Sequence, residues 1–114
     1  MLPYTWSDVW ALEASTASLR SDLGTVRVLT SRLAGARWAL GGLARAPGWS
    51  GSVANLHRAQ LSGLVKQVQA STDELAAAAG SLTKQIAQQD ALVRERQAAL
   101  MRQDAAAAAA AKGT

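Results

Sequence analysis

The sequence predicts an all-α fold, a helical hairpin of two long antiparallel helices. Apolar residues make up 49% of its 114 residues and aromatic residues only 4%, and much of the apolar fraction is alanine. This composition favours helix over strand. Leucine and valine recur at seven-residue intervals in both halves of the chain, as they do where one helix packs along another. Between the halves, Pro47 and Gly48 interrupt the pattern and predict a turn.

The first helix is expected over residues 7–44, after an N-terminal arm formed by residues 1–6. Thr5 followed by Asp8 resembles a capping box with Asp in place of Glu or Gln, and Ser7 is the alternative cap. One side of this helix, the first seam, repeats every seven residues and should pack on the second helix. Its predicted members are Leu12, Leu19, Leu23, Val26, Leu29, Leu33, Ala36, Leu40 and Leu43.

The second helix is expected over residues 52–104, after a turn at residues 45–51, with Ser50 or Ser52 as its cap. Beyond Ile86 its seam carries polar residues, so that end is expected to be wetter or to extend past the first helix. Residues 105–114 are mostly alanine, which propagates a helix but adds little packing, and they are expected to form a flexible tail. The predicted seam comprises Leu61, Val65, Val68, Thr72, Leu75, Ala79, Leu82, Ile86, Gln89, Val93, Arg96 and Leu100.

The opposite side of the first helix, the second seam, also repeats, and no charged residue interrupts it. A solvated face would carry Lys, Glu and Arg, whereas small residues let another backbone approach and Trp38 adds one large anchor. Two interpretations are open: a tolerant solvent-facing surface, or a partner interface that pairs two hairpins into a four-helix bundle. The interface is preferred, because an isolated hairpin buries only one seam per helix. The second seam comprises Ala14, Ala17, Ser21, Gly24, Val28, Ser31, Gly35, Trp38 and Gly42.

Composition argues against an enzyme, a metal or cofactor site and a membrane span. The chain has no cysteine and one histidine, His57, which no carboxylate flanks, so neither a metal site nor a His-dependent dyad is indicated. Asp73 and Glu74 are adjacent on a helix and therefore do not face each other. No apolar run approaches the ~18 residues that a membrane span needs, and residues 1–13 do not resemble a secretory signal peptide.

The formal net charge of +4 permits an anionic partner such as nucleic acid. The basic residues are scattered along both predicted helices, however, and no run of five or six forms a patch. Solvated helix faces are therefore the preferred interpretation of the charge. A cytoplasmic helical adaptor or a weak basic nucleic-acid-binding protein remains the alternative function.

A Trp-x-Gly tripeptide, Trp49-Ser50-Gly51, stands at the predicted bend. Together with the two long helices and the absence of cysteine, it resembles the WXG (WXG-hundred, ESAT-like) family of small type VII secretion proteins over about residues 7–100. The resemblance implies a non-enzymatic hairpin that pairs into a four-helix bundle. It also implies that Trp49 packs beside the start of the second helix and that Gly51 lets the chain approach without a Cβ.

The resemblance further implies export in folded form, usually as a dimer, by the ATPase-driven type VII (ESX) machinery. The partner would be a second copy, another small helical WXG-like protein or the helical domain of a secreted effector. The protein would then be secreted after cytoplasmic synthesis, with a cytoplasmic location as the alternative. No cofactor is implied.

The chain departs from the family at the export signal, a Tyr-x-x-x-Asp/Glu string that family members often carry after the second helix. The string Tyr4-Thr5-Trp6-Ser7-Asp8 matches the letters but lies before the first helix. The signal is therefore not carried over: either a partner supplies it, or the chain is not an autonomous substrate. Trp6 and Trp10, four residues apart, are possible partner anchors, or they cover the open end of the hairpin.

Overall fold

The computed structural model describes residues 1–45 and 51–113. In these ranges the chain folds into two helices and no strand, α1 (Trp6–Ala44) and α2 (Gly51–Lys112), which form a hairpin. The all-α hairpin predicted from the sequence is confirmed, while its pairing into a four-helix bundle stays a prediction. Trp49 and the two turn residues Pro47 and Gly48 lie outside the described residues.

The start of α1 is set by the predicted capping box. The Thr5 amide donates to Oδ2 of Asp8 at 2.8 Å, and the amide of Val9 donates to the Thr5 carbonyl at 3.2 Å. Thr5 is thus the cap, because its carbonyl accepts the first helical bond while Asp8 satisfies its amide. Ser7, the alternative cap, lies inside the helix, which begins at Trp6.

The second helix is longer than the sequence predicted. It continues through the alanine run to Lys112 rather than ending near Asp104, and the amide of Gly113 donates to the Ala109 carbonyl at 3.1 Å. Alanine has the highest helix propensity, so a helix already formed on its N-terminal side extends through it without side-chain packing. The alanine run is therefore helical in the structure, and its flexibility stays a prediction.

The hairpin divides into two compact units, and both helices contribute to each. Residues Met1–Asp22 and Leu82–Thr114 form one, the terminal unit, and residues Leu23–Ser81 form the other, the turn unit. The most buried apolar cluster of the described residues is in the terminal unit, where Val9, Val93 and Leu100 pack together. Leu2, Tyr4, Trp6 and Leu12 pack against this cluster.

Of the two alternatives for the seam beyond Ile86, the wetter seam is therefore wrong, whereas α2 does extend past the first helix, since Asp104 meets Trp6 at the start of α1 and α2 continues to Lys112. The polar residues of this seam are used within the packing: Oγ1 of Thr16 lies 2.9 Å from Oε1 of Gln89, and the guanidinium of Arg96 lies 4.8 Å from the centre of the Tyr4 ring. The N-terminal arm also covers this end, because the Leu2 amide donates to the side chain of Gln103 at 3.0 Å. A polar side chain at a seam position can be buried when its polar atoms find partners.

The first seam differs from its prediction in one of its two heptad positions. Leu29, Ala36 and Leu43, each predicted three residues after another member of the seam, are exposed. The buried or half-buried residues of this heptad position lie instead three residues before Leu19 and Leu33, at Thr16 and Thr30. The hydroxyls of both threonines lie 2.8 Å from the carbonyl oxygen four residues earlier. A threonine whose hydroxyl bonds to a carbonyl of its own helix can be buried in a seam without leaving that hydroxyl unpaired. Every predicted residue of the α2 seam is buried or half-buried.

Candidate interaction surface

The second seam of α1 is open along its whole described length. Each of its residues is exposed, and the exposed fraction reaches 81% at Trp38 and 51% at Val28. This side of α1 faces away from the first seam, as the helical spacing requires. The structure therefore leaves uncovered the surface that the sequence assigned to a partner.

The glycines of the second seam are not explained by packing within the hairpin. Among residues 1–45 and 51–113, a Cβ placed on Gly24, Gly35 or Gly42 would meet nothing within 4 Å. In a helix interior each glycine costs roughly 1 kcal/mol relative to alanine. Because alanine would fit at all three positions, the hairpin alone gives no reason for glycine there. A second helix approaching closely on this side would supply one.

The two N-terminal tryptophans have separate environments. Trp6 packs on the terminal-unit core, and its indole Nε1–H donates to Oδ2 of Asp104 at 3.0 Å. Trp10 is 60% exposed. Trp6 therefore covers the open end of the hairpin, whereas Trp10 has the exposure that an anchor residue needs.

The residues of the Tyr4–Asp8 string serve the local fold. Tyr4 packs on the core and carries Arg96 over its ring, while Asp8 accepts from the amide and the hydroxyl of Thr5. Both ends of the string are thus engaged by the start of α1 and by α2. These contacts give the string a structural role independent of export.

Gly51 is required for its backbone conformation. Its φ angle is +87°, while a Cβ placed on it would meet nothing within 4 Å in the part of the chain that the structure describes. Positive φ is accessible to glycine without the penalty that a side chain brings. The role implied by the family resemblance, close approach of the chain at the bend, stays a prediction, because the turn residues before Gly51 lie outside the described residues. Trp49, its partner in the motif, lies outside the described residues.

A groove beside Trp38 was not anticipated from the sequence. It has a volume of about 360 Å³ and lies in the turn unit. The side chain of Arg45 lies near Gly41, since one of its guanidinium nitrogens would be 3.6 Å from a Cβ placed on that glycine. The groove combines one exposed aromatic ring with two arginines. Its lining residues are Ala34, Arg37, Trp38, Gly41, Arg45 and Val65.

The net charge of the protein belongs to the turn unit. The terminal unit contains six basic and six acidic residues, whereas the turn unit contains six basic residues and two acidic ones, Asp73 and Glu74. The sequence analysis expected basic residues scattered along both helices. The excess of basic over acidic residues is instead confined to the turn unit. The sequence already contained a sign of this uneven charge, because no Asp or Glu occurs between Asp22 and Asp73. This interval falls within the turn unit.

The described residues offer little that resembles a catalytic or metal centre. No group of three or more His, Cys, Asp or Glu side chains that could hold a metal ion occurs in residues 1–45 and 51–113. A second open groove, of about 550 Å³ in the terminal unit, is lined in part by Asp8 and Arg96. Both are already engaged, Asp8 in the helix cap and Arg96 over Tyr4.

Within the same ranges, neither helix contains a stretch long and apolar enough to cross a membrane. No protein-family model matches the chain, and neither a curated protein nor a solved structure matches it.

Proposed function

We propose that this chain is a non-enzymatic interaction protein, a WXG-like type VII secretion substrate or the dimer partner of one. The observation that carries the proposal is the second seam of α1. It is exposed in the hairpin, it contains glycines that the hairpin does not need, and it ends beside the 81% exposed ring of Trp38. A face of this kind supports docking of a second helical hairpin, which would complete a four-helix bundle.

Export rests on the resemblance of Trp49-Ser50-Gly51 and its flanking helices to the WXG family. The partner is a small helical WXG-like protein, a helical domain of a secreted effector or a second copy. Because Tyr4 and Asp8 are engaged in the fold of the hairpin, the export signal is expected on the partner. The secretion ATPase would then recognise the complex.

The assembly is tested by measuring mass with light scattering, for the chain alone and co-expressed with the small helical protein encoded beside it. A 1:1 complex is expected. Trp38→Asp should dissociate it, because a charge replaces an exposed anchor. The packing of the first seam on α2 should stay intact. Leu56→Asp is the matched control, since Leu56 is also exposed but lies on α2. A wild-type chain that is monomeric in both measurements would remove the bundle from the proposal.

A subtler test uses glycine. Gly35→Ala should stabilise the hairpin by up to about 1 kcal/mol, because alanine favours helix and the space is open, and yet weaken the complex, because the new methyl group separates the two helices. Gly63→Ala on α2, where the space is also open, should give the same stabilisation with unchanged affinity. Equal affinity of the Gly35→Ala variant would support the solvent-facing interpretation of the second seam.

Export is tested in the native host by measuring the chain in the culture medium with and without the secretion ATPase. Loss from the medium together with accumulation in cells is expected. A chain that stays in cells in both strains is not exported by this route, and the cytoplasmic adaptor becomes the better function.

A basic nucleic-acid-binding role is the second candidate, favoured by the charge of the turn unit. It predicts retardation of duplex DNA at low salt that is lost steeply as salt increases. Unchanged DNA mobility at low salt excludes it.

A further inference from the structure

Two arginines of the turn unit border the second seam, one on each side. Arg27 follows Gly24 by three residues and precedes Ser31 by four, so it lies along one edge of the seam. Arg32 follows Val28 by four residues and precedes Gly35 by three, so it lies along the other edge. Both arginines are exposed. The seam of small residues therefore carries a cation on each side.

The groove next to Trp38 continues this arrangement toward the end of α1. Arg37 and Arg45 line it and are exposed. Among the described residues, neither of them pairs with a carboxylate, and neither does Arg27 or Arg32; the ion pair that the structure contains there joins Arg20 to Asp90 in the terminal unit. The cationic side chains around the seam are thus available to an external anion.

We propose that this surface takes an acidic amphipathic helix of a different protein, with carboxylates on both edges of its apolar stripe. The proposal rests on the proposed function and names the chemistry of the partner. The small residues of the seam would receive the apolar stripe, Trp38 would anchor it, and Arg27, Arg32 and Arg45 would pair with the flanking carboxylates. Complementary charges of this kind select the partner and set its register.

A second copy of the chain is a poor match for the same surface. The charged residues along the two edges of the seam are Glu13, Arg20, Arg27 and Arg32. Glu13 already accepts a hydrogen bond from the side chain of Gln97, and Arg20 pairs with Asp90. A self-paired interface uses the same patch twice, so it would bring an excess of arginines together. Like charges across an interface disfavour the wrong partner.

Nucleic acid and a lipid surface fit less well than a helix. Phosphate contacts position a protein through its cations and donors, whereas here the apolar side chains of Val28 and Trp38 lie between the arginines. A lipid surface does not interdigitate with a seam of glycines, which is suited to a close-packed helix.

The test measures binding of two fluorescent synthetic helices by anisotropy. Both have the same alanine and leucine stripe; one carries glutamate at the flanking positions and the other lysine. The glutamate helix should bind and the lysine helix should not, and the affinity should fall as salt rises. The double variant Arg27→Glu/Arg32→Glu should weaken binding on the order of tenfold, because two attractions become repulsions.

The matched control is Lys84→Glu/Arg94→Glu, which makes the same charge change on exposed residues of α2 in the terminal unit. It should change affinity less than about twofold if the edges of the seam, and not net charge, determine binding. Circular dichroism confirms that both variants remain helical. Equal loss in the two variants, or binding of the lysine helix, overturns the proposal.

Other occupants give distinct results. Duplex DNA or anionic phosphatidylglycerol vesicles that bind in an Arg27-dependent manner, while the glutamate helix does not, overturn the proposal in favour of that ligand. A dimer of the chain alone in sedimentation velocity, dissociated by Trp38→Asp, overturns it in favour of a second copy. If the native partner binds wild type and Arg27→Glu/Arg32→Glu equally, this inference fails while the proposed function stands. If no helical partner binds at all, both fail.

Discussion

Truncation of Leu100 tests where the hairpin is held together. Leu100 is 2% exposed and packs with Val9 and Val93 in the terminal unit. Leu100→Ala removes buried methyl groups and leaves a cavity, and such core changes cost about 2–5 kcal/mol. The free energy of unfolding of small proteins is about 5–15 kcal/mol, so the variant should lose a large part of its stability.

The next residue provides the control. Met101 belongs to the same helix and unit but is 63% exposed, so Met101→Ala should cost less than about 0.5 kcal/mol. Urea unfolding followed by circular dichroism at a helical wavelength measures both variants. A difference of at least about 2 kcal/mol is expected, with a midpoint of thermal unfolding lower by roughly 10 °C. If the two variants unfold within about 0.5 kcal/mol of each other, the cluster around Leu100 is not the core.

Three further changes test local features by urea unfolding. Asp8→Ala should cost about 1 kcal/mol because the cap at the start of α1 is lost; an unchanged midpoint would argue against the capping box. Gly51→Ala should cost about 1–2 kcal/mol because alanine resists positive φ, whereas Gly63→Ala should stabilise, and equal effects would mean that backbone conformation is not what selects glycine at the start of α2. Thr16→Val should cost about 1–3 kcal/mol because a buried partner of Gln89 is lost, and a neutral effect would show that this polar contact adds nothing.

The fold was predictable because the spacing of apolar residues and the helix cap are local features of the sequence. Spacing of three and four residues identified every residue of the α2 seam as buried or half-buried, and Thr5 with Asp8 identified the start of α1. These features depend on contacts within one helix or on periodicity along it. The open second seam was predicted for the same reason, because its lack of charge and its small residues are visible in sequence.

Other features required the fold because they join residues far apart in the chain. Gln89 and Arg96 looked like signs of a weak seam, yet Thr16 and Tyr4 meet them across the hairpin. Leu29 and Leu43 looked like seam residues, yet the neighbouring helix packs on the heptad position that includes Thr16 and Thr30. Hydrophobicity alone favours leucine over threonine there, and which of the two heptad positions faces the other helix depends on tertiary packing; the bonds of the threonine hydroxyls to their own helix then satisfy those polar groups.

The sequence by itself determined two helices, the seams along them and a surface without charge, because helical periodicity is a property of consecutive residues. Only the tertiary structure decided which end holds the main core and which tryptophan closes it. The location of the net charge was already visible in the sequence as the acid-free interval between Asp22 and Asp73, and the structure showed that this interval belongs to one compact unit. Burial depends on the neighbours that folding supplies, and these are distant in the chain.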